Sequence, residues 1–320
     1  MMSPVKNGAN ISVVTCSRNR TRHLKNVVES TSSLDNLLEH IIIDFSSNPK
    51  IPGKELVEIN PKVRILRVEN ENSWWLTRAY NFGCFFAKGD YLLKLDADTI
   101  INSANISKIP IQKNDLIVFE YDGTGRGNFI VKKSTFERVN GFNEYIFNWG
   151  YDDVDLINRI SEQTDKILIF EADNYIDVKG NTTEERFNSK ILNEQAAARA
   201  LSKTNSIVSQ DIIWDSTKKF LYTELDTNIY KINHFFSTKE KGLKFTNYIK
   251  STFLRIYLNE LFGTTLFNKI SFIYNLIPLF LINKILQIKL IPKKPIFWKK
   301  YYYAQRQDKN LLQKNFLTLA

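Results

Sequence analysis

Two short acidic segments carry the residue types best suited to chemistry. In the first, Asp96-Ala97-Asp98 directly follows the apolar run 91–95. Two carboxylates two positions apart, just past a strand end, can reach one site if the backbone turns there. Hard divalent cations such as Mn²⁺ or Mg²⁺ prefer oxygen ligands and bind diphosphates through one or two carboxylates. A cation held there offsets the charge that builds on a departing diphosphate. The plainer reading is a solvated acidic turn, and the apolar strand immediately before the pair weighs against it.

The second segment is Asn140-Gly141-Phe142-Asn143-Glu144, followed by Phe147-Asn148-Trp149-Gly150-Tyr151-Asp152-Asp153-Val154-Asp155. Three acids in four positions repel one another. Acids also favour the first turn of a helix, here expected over 153–160. The two readings are compatible, because the positive end of a helix favours the ionised form of a carboxylate. Such a carboxylate can accept the proton of an attacking hydroxyl. Trp149 suits stacking on the apolar face of a sugar ring, and equally suits burial.

The elements that must position these groups follow from hydrophobic spacing. Residues 11–17, 40–45, 63–68, 91–95, 116–120 and 128–132 read as strands. Residues 20–33, with Leu24, Val27, Val28 and Thr31 on one face, and 74–88 read as helices. Strands alternating with helices predict an α/β fold around a mainly parallel sheet, whose ligands sit at the carboxyl ends of strands. The polar strand ends are 15–20, 44–47, 69–72 and 96–99. The glycine-rich loop 123–128 suits either closure over a ligand or a plain hairpin turn. From residue 183 the pattern turns helical, and 220–257 has no clean period. This divides the chain into an expected catalytic core, 1–182, and a mostly helical C-terminal region, 183–320.

Charge is concentrated at the end of the chain. Residues 284–320 hold nine Lys/Arg against one acid, Asp308, so +8 of the net +10 lies there. With the aromatics Phe297, Trp298 and 301–303, and the apolar run 267–290 before it, this tail suits an anionic membrane surface better than nucleic acid. Lys269, Lys284 and Lys289 and the central Pro278 argue against a spanning helix in that run. Two cysteines give no disulfide framework and no metal cluster. Both are expected reduced in a cytoplasmic protein, peripheral on the inner face of the membrane.

In their order these segments resemble GT-A glycosyltransferases of the family 2 type. The later part is similar to bacterial β1,4-galactosyltransferase and chondroitin-polymerase catalytic regions. The likeness runs over about residues 10–180. Its markers are Thr15-Cys16-Ser17-Arg18-Asn19-Arg20, Ile43-Asp44-Phe45-Ser46-Ser47, Arg78-Ala79-Tyr80-Asn81-Phe82-Gly83, Lys94-Leu95-Asp96-Ala97-Asp98, Gly141-Phe142-Asn143-Glu144 and the Trp-Gly-x-acid-acid segment. The resemblance implies a GT-A fold and an inverting transfer of a hexose or N-acetylhexosamine. The donor would be a UDP-sugar, and the acceptor a saccharide or glycolipid hydroxyl in surface polysaccharide or capsule synthesis. It implies that Thr15, Ser17 and Arg18 line the nucleotide pocket, that Asp44 contacts the base, and that Arg78 and Asn81 lie near the ribose or diphosphate. Asp96 would hold the nucleotide, Asp98 would ligate Mn²⁺ or Mg²⁺, Asp153 would be the general base, and Asp152 would position the acceptor. Trp149 would stack on the sugar.

Two departures stand out. The family has Glu then Asp where this chain has Asp152 then Asp153. Many relatives also supply a His metal ligand after the next strand, whereas His23, His40 and His234 all lie elsewhere. Asp177 is the nearest oxygen substitute. Rival classes are a nucleotidyltransferase on the same sheet and a non-catalytic nucleotide-sugar-binding protein.

Overall fold

The computed structural model describes residues 9–121, 125–148, 150–179, 194–212, 214, 221–233, 245 and 247–260. Trp149, Gly123, Thr124, the apolar run 267–290 and the basic tail lie outside the described residues. The described residues fall into two units. The first is drawn from 1–144, 152–181 and 215–233, and the second from 145–151, 182–214 and 234–320.

The first unit is built on one nine-stranded sheet. Its strands are β1 (Ile11–Ser17), β2 (Leu37–Phe45), β3 (Val63–Val68), β4 (Tyr91–Lys94), β6 (Leu116–Tyr121), β7 (Gly125–Lys132), β8 (Ile167–Glu171), β10 (Leu221–Asp226) and β11 (Ile229–Asn233). They lie in the order β10-β11-β3-β2-β1-β4-β7-β6-β8. β11, β3, β2, β1 and β4 run parallel; β7 is antiparallel to β4 and β6, and β8 runs parallel to β6. β5 (Thr99–Ile101) and β9 (Ile176–Val178) form a separate antiparallel pair. The expected mainly parallel α/β sheet is therefore the observed one.

The pattern has a direct cause. All seven residues of β1 are buried, as expected of a parallel strand covered on both faces. Helix α1 (Leu24–Ser32) buries Leu24, Val27, Val28 and Thr31, the spacing of a single helix face. Leu24 and Val28 pack with Ile42, Leu56 and Val63, while Val27 joins Ile11, Val13, Leu93 and Ile130. Each such fully buried side chain contributes about 1.5–3 kcal/mol. Helix α2 (Gly53–Ile59) follows β2, and α3 (Leu76–Phe86) precedes β4. α3 is buried continuously from Thr77 to Cys84. Helices α4 (Ser103–Ile106), α5 (Lys133–Arg138) and α6 (Asp152–Ser161) complete this unit.

The hairpin β10–β11 was not legible in the sequence. It turns at Asn228, which takes a left-handed backbone (φ 59°), and it joins β3 through Ile229 and Tyr230. Tyr222 and Tyr230 stack against Phe82 and Phe86 of α3 with ring centroids 5.1–5.8 Å apart.

In the second unit, helix α7 (Glu194–Asp211) carries the buried Asn205. Its side-chain amide donates to Phe147 O (3.0 Å) and Gly150 O (2.8 Å) and accepts from Phe147 N–H (3.2 Å). Arg199 and Lys203 of α7 both reach Glu260. Among the described residues no helix is long and apolar enough to cross a membrane.

Candidate active site at the ends of β4 and α6

β4 ends at Lys94, and the chain then turns through Leu95, Asp96, Ala97 and Asp98 into β5. The turn is held from several sides. Asp96 N–H donates to Asn128 Oδ1 on β7 at 2.8 Å. Asp96 Oδ1 accepts from Tyr80 Oη of α3 (3.1 Å) and from Lys94 Nζ (2.7 Å). The Asp96 side chain keeps 35% of its surface exposed, whereas Lys94 keeps 3%. Asp98 is buried, at 7%, and its carbonyl accepts from Lys179 N–H at 2.8 Å.

Lys94 ties the two acidic segments to one place. Burial opposes its charge, but Asp96, Asp152 and Asp153 outweigh that effect and hold its pKa above the ordinary lysine value. All three carboxylates therefore lie close enough to act on one ammonium. Asp152 and Asp153 open α6, where the positive end of the helix favours negative charge. Asp152 is buried at 5%; Asp153 is half-buried, and its Oδ1 accepts from Val154 N–H at 2.9 Å. The preceding residue, Tyr151, has φ 68°, a region that a bulky side chain adopts only when its surroundings impose it. Asp155, the third acid of the cluster, is bound to Arg159 at 2.6 Å one turn on.

The other residues expected to line the nucleotide pocket are placed as follows. Arg18 is half-buried, its guanidinium donating to Glu71 O (2.8 Å) and Ser73 O (3.2 Å). Thr15 is fully buried and its hydroxyl meets His40 Nε2 at 3.0 Å; burial holds the pKa of that imidazole down at about 3. Ser17 Oγ donates to Arg20 O at 2.7 Å. Asp44, 2% exposed, accepts from Ser47 N–H (2.9 Å), Ile51 N–H (3.2 Å) and Arg67 Nη1 (2.6 Å).

Arg78 and Asn81 lie in a buried polar cluster around Glu144. Arg78 lies 5.2 Å from the Trp75 ring centroid and 3.6 Å from both Glu71 and Glu144. Asn81 Nδ2 donates to Glu144 Oε1 at 3.0 Å and to Phe142 O at 2.9 Å, and Asn81 Oδ1 accepts from Phe142 N–H at 2.8 Å. Trp75 Nε1 donates to Glu144 O at 3.0 Å. Burial pushes the Glu144 carboxyl up to about 7, against the pull of Arg78 and the hydrogen bond from Asn81. Gly141 packs against this cluster: at φ +67° a Cβ would stand 2.5 Å from Asn81 Oδ1.

Asp177 lies on β9 opposite Ile100, with 62% of its side chain exposed, and is paired with Lys179. Asp98, Asp173 and Asp177 all act on Tyr121, whose phenol is pushed up to about 12, chiefly by burial. Among the described residues no group of three or more His, Cys, Asp or Glu side chains surrounds one point that could hold a metal. A divalent cation beside a diphosphate needs only one or two carboxylates, the phosphates supplying further oxygens. Asp98 and Asp96 fit that demand.

Three residues of consequence escaped the sequence reading. Lys94 was visible as a lysine ending an apolar strand two positions before an acid, on the same strand face. Glu144 stood in the second acidic segment without a role of its own, and Asn205 gave no local signal, because the burial of both depends on distant segments.

Two family models match the chain. Residues 12–137 match the model described as glycosyl transferase family 2, and residues 113–181 match one described as the N-terminal domain of galactosyltransferase. No curated protein matches it. Similar solved structures include TarS of S. aureus, at 13% identity and TM-score 0.44, covering 62% of this chain and 40% of that one. The mannosyltransferase PcManGT from Pyrobaculum calidifontis, in complex with GDP-Man and Mn²⁺, is 15% identical with TM-score 0.46, covering 62% and 64%. Glucosyl-3-phosphoglycerate synthase from Mycobacterium tuberculosis, in complex with Mn²⁺, UDP and phosphoglyceric acid, is 16% identical with TM-score 0.46, covering 71% and 87%. The chain thus spans less than two thirds of the first two of these proteins. The two family models overlap and together run from residue 12 to residue 181, across β1 to β9 and both acidic segments, and over these residues the chain is similar to glycosyltransferases of the family 2 type.

Proposed function

We propose that this chain moves a hexose or N-acetylhexosamine from a UDP-sugar to a hydroxyl of a saccharide or glycolipid acceptor, inverting the anomeric centre, in the synthesis of a surface polysaccharide or glycolipid. The observation that carries this reading is Lys94, paired with Asp96 at 2.7 Å at a strand end and within the electrostatic reach of Asp152 and Asp153 at a helix start. One acidic segment is thereby available to the donor and the other to the acceptor.

In this reading Asp96 holds the nucleotide and Asp98, with Asp96, holds Mn²⁺ or Mg²⁺, while Asp177 is the nearest further oxygen. The cation, when bound, stabilises the negative charge of the departing diphosphate. Asp152 orients the acceptor and Asp153 takes its proton. The acceptor oxygen then forms a bond to the anomeric carbon as the bond from that carbon to the phosphate oxygen breaks. The electron pair leaves with the nucleoside diphosphate, and the proton stays on the Asp153 carboxylate. A single displacement of this kind turns an α-linked donor into a β-linked product. Arg18, half-buried beside the ends of β1 and β3, remains a candidate for the nucleotide. Thr15, Ser17, Asp44, Arg78 and Asn81 shape the pocket from behind through the bonds described above. The basic tail, 284–320, is part of the proposal as a contact with an anionic membrane surface.

Thermal-shift screening of nucleotide sugars with MnCl₂ tests the donor, because a bound donor stabilises the fold by mass action. A UDP-sugar should raise the melting temperature and release UDP when acceptor is present. Release of pyrophosphate would move the chain to the nucleotidyltransferases. Donor binding without hydrolysis or transfer would leave a binding protein. A chain ending near residue 265 that still pelleted with anionic vesicles would refute the role of the tail.

A further inference from the structure

A lysine almost sealed from water is an expensive way to end an apolar strand, since an ammonium taken from water costs several kcal/mol unless it is well paired. Among the described residues Lys94 has one close ionic partner, Asp96 Oδ1 at 2.7 Å, and it lies 4.8 Å from the centre of the Tyr80 ring. The single Tyr80 hydroxyl proton is shared between the same oxygen, at 3.1 Å, and Leu95 O, at 3.0 Å. Two donors thus converge on Oδ1 of one carboxylate. β7 closes over the pair at Gly127, where a Cβ would stand 3.1 Å from Asp96 Oδ2 and 3.7 Å from Lys94 Nζ. A methyl at Gly127 would have to push the Asp96 carboxylate aside by a few tenths of an ångström. Asp96 keeps about a third of its surface open, and Lys94 almost none. The ammonium is therefore out of a ligand's reach, and the carboxylate is within it.

We propose that Lys94 is a positioning residue for the nucleotide: with Tyr80 it clamps Oδ1 of Asp96, so that Oδ2 is presented in one orientation to a hydroxyl of a nucleoside diphosphate. This rests on the reading of the site as a nucleotide-sugar site. A hydrogen bond to a charged group held in advance is stronger than one that must be ordered on binding.

The test is calorimetric titration of the full chain with UDP, and separately with GDP, in MnCl₂. The proteins are the wild type, Lys94→Met, Asp96→Asn and the double variant. Methionine keeps the length of the side chain and removes its charge. Lys94→Met should weaken UDP binding about tenfold, with its far-UV spectrum unchanged. The double variant should bind within about twofold of Asp96→Asn alone, because no carboxylate is then left to orient. UDP affinity equal to wild type in Lys94→Met, even with a lowered melting temperature, would reduce Lys94 to a structural role and overturn the proposal. Losses that multiply in the double variant would show that Lys94 does not act through Asp96, and would overturn it too. Where Lys94→Met does not fold, Tyr80→Phe removes the second donor to the same oxygen. It should weaken UDP binding about threefold in the wild type and not at all in Asp96→Asn, and unchanged binding in both would overturn the proposal. Wild-type protein that bound neither UDP nor GDP would instead refute the nucleotide-sugar reading, a result separate from any comparison among the variants.

Discussion

Replacing Glu144 by Gln should remove part of this protein's pH dependence of stability. Glu144 is wholly buried. Its Oε1 accepts from Asn81, and its Oε2 lies 3.6 Å from Arg78 Nε without accepting a hydrogen bond among the described residues. Burial therefore outweighs the attraction of Arg78, and the carboxyl titrates at about 7 rather than at its ordinary value of 4.5. Because the folded pKa is the higher one, the folded chain holds more protons than the unfolded chain between those two values. The stabilisation is complete below about pH 4.5 and is lost as pH rises through about 7. At about 1.4 kcal/mol for each pH unit of that interval, the full loss amounts to about 3.5 kcal/mol. Glutamine keeps the shape and the acceptor for Asn81 and has no proton to lose. Urea unfolding of both proteins at pH 5, 6, 7 and 8, followed by far-UV circular dichroism, measures the difference. The wild type should lose about 2.5 kcal/mol relative to Glu144→Gln between pH 5 and pH 8, part of the loss having occurred below pH 5. A difference that stayed constant within about 0.5 kcal/mol would mean that Arg78 keeps Glu144 ionised throughout, and would refute the reasoning.

Three further outcomes are expected. Transfer should stop in excess EDTA and return with Mn²⁺, and Asp98→Asn should raise the Mn²⁺ needed for half-maximal activity about tenfold or more; full activity in EDTA would remove Asp98 from its role. Gly141→Ala should destabilise the fold by about 2–4 kcal/mol in urea unfolding, because the site demands φ +67° and the added methyl would meet Asn81 Oδ1 at 2.5 Å. Asn205→Ala, which strips the hydrogen bonds from Phe147 and Gly150, should cost about 2–3 kcal/mol in the same assay.

The parallel strands were legible because burial on both faces forces near-continuous apolar runs, as in β1 and β2, and those runs end where polar residues gather. Asp96 and Asp98 were legible for the same reason. The hairpin β10–β11 was not, since Tyr222 and Tyr230 gain the aromatic partners Phe82 and Phe86 from the distant α3, and most of the residues between them are polar. Arg78 was expected near the nucleotide, yet its spacing on α3 could not reveal that Glu144, far along the chain, turns it into a buried ion pair. Lys94 shows the same limit at the site itself. A lysine beside an Asp-x-Asp pair reads as solvated until the packing of Tyr80 and Gly127 around it is known.

The central claim is that Asp153 takes the proton of the acceptor. Asp153→Asn keeps the size of the side chain and removes its basicity, so transfer from a UDP-sugar and binding of the same donor should be measured side by side in this variant. Transfer should fall by a factor of about 10²–10⁴ while donor affinity stays within about threefold of the wild type. Transfer at the wild-type rate, or donor binding lost together with activity, would contradict it.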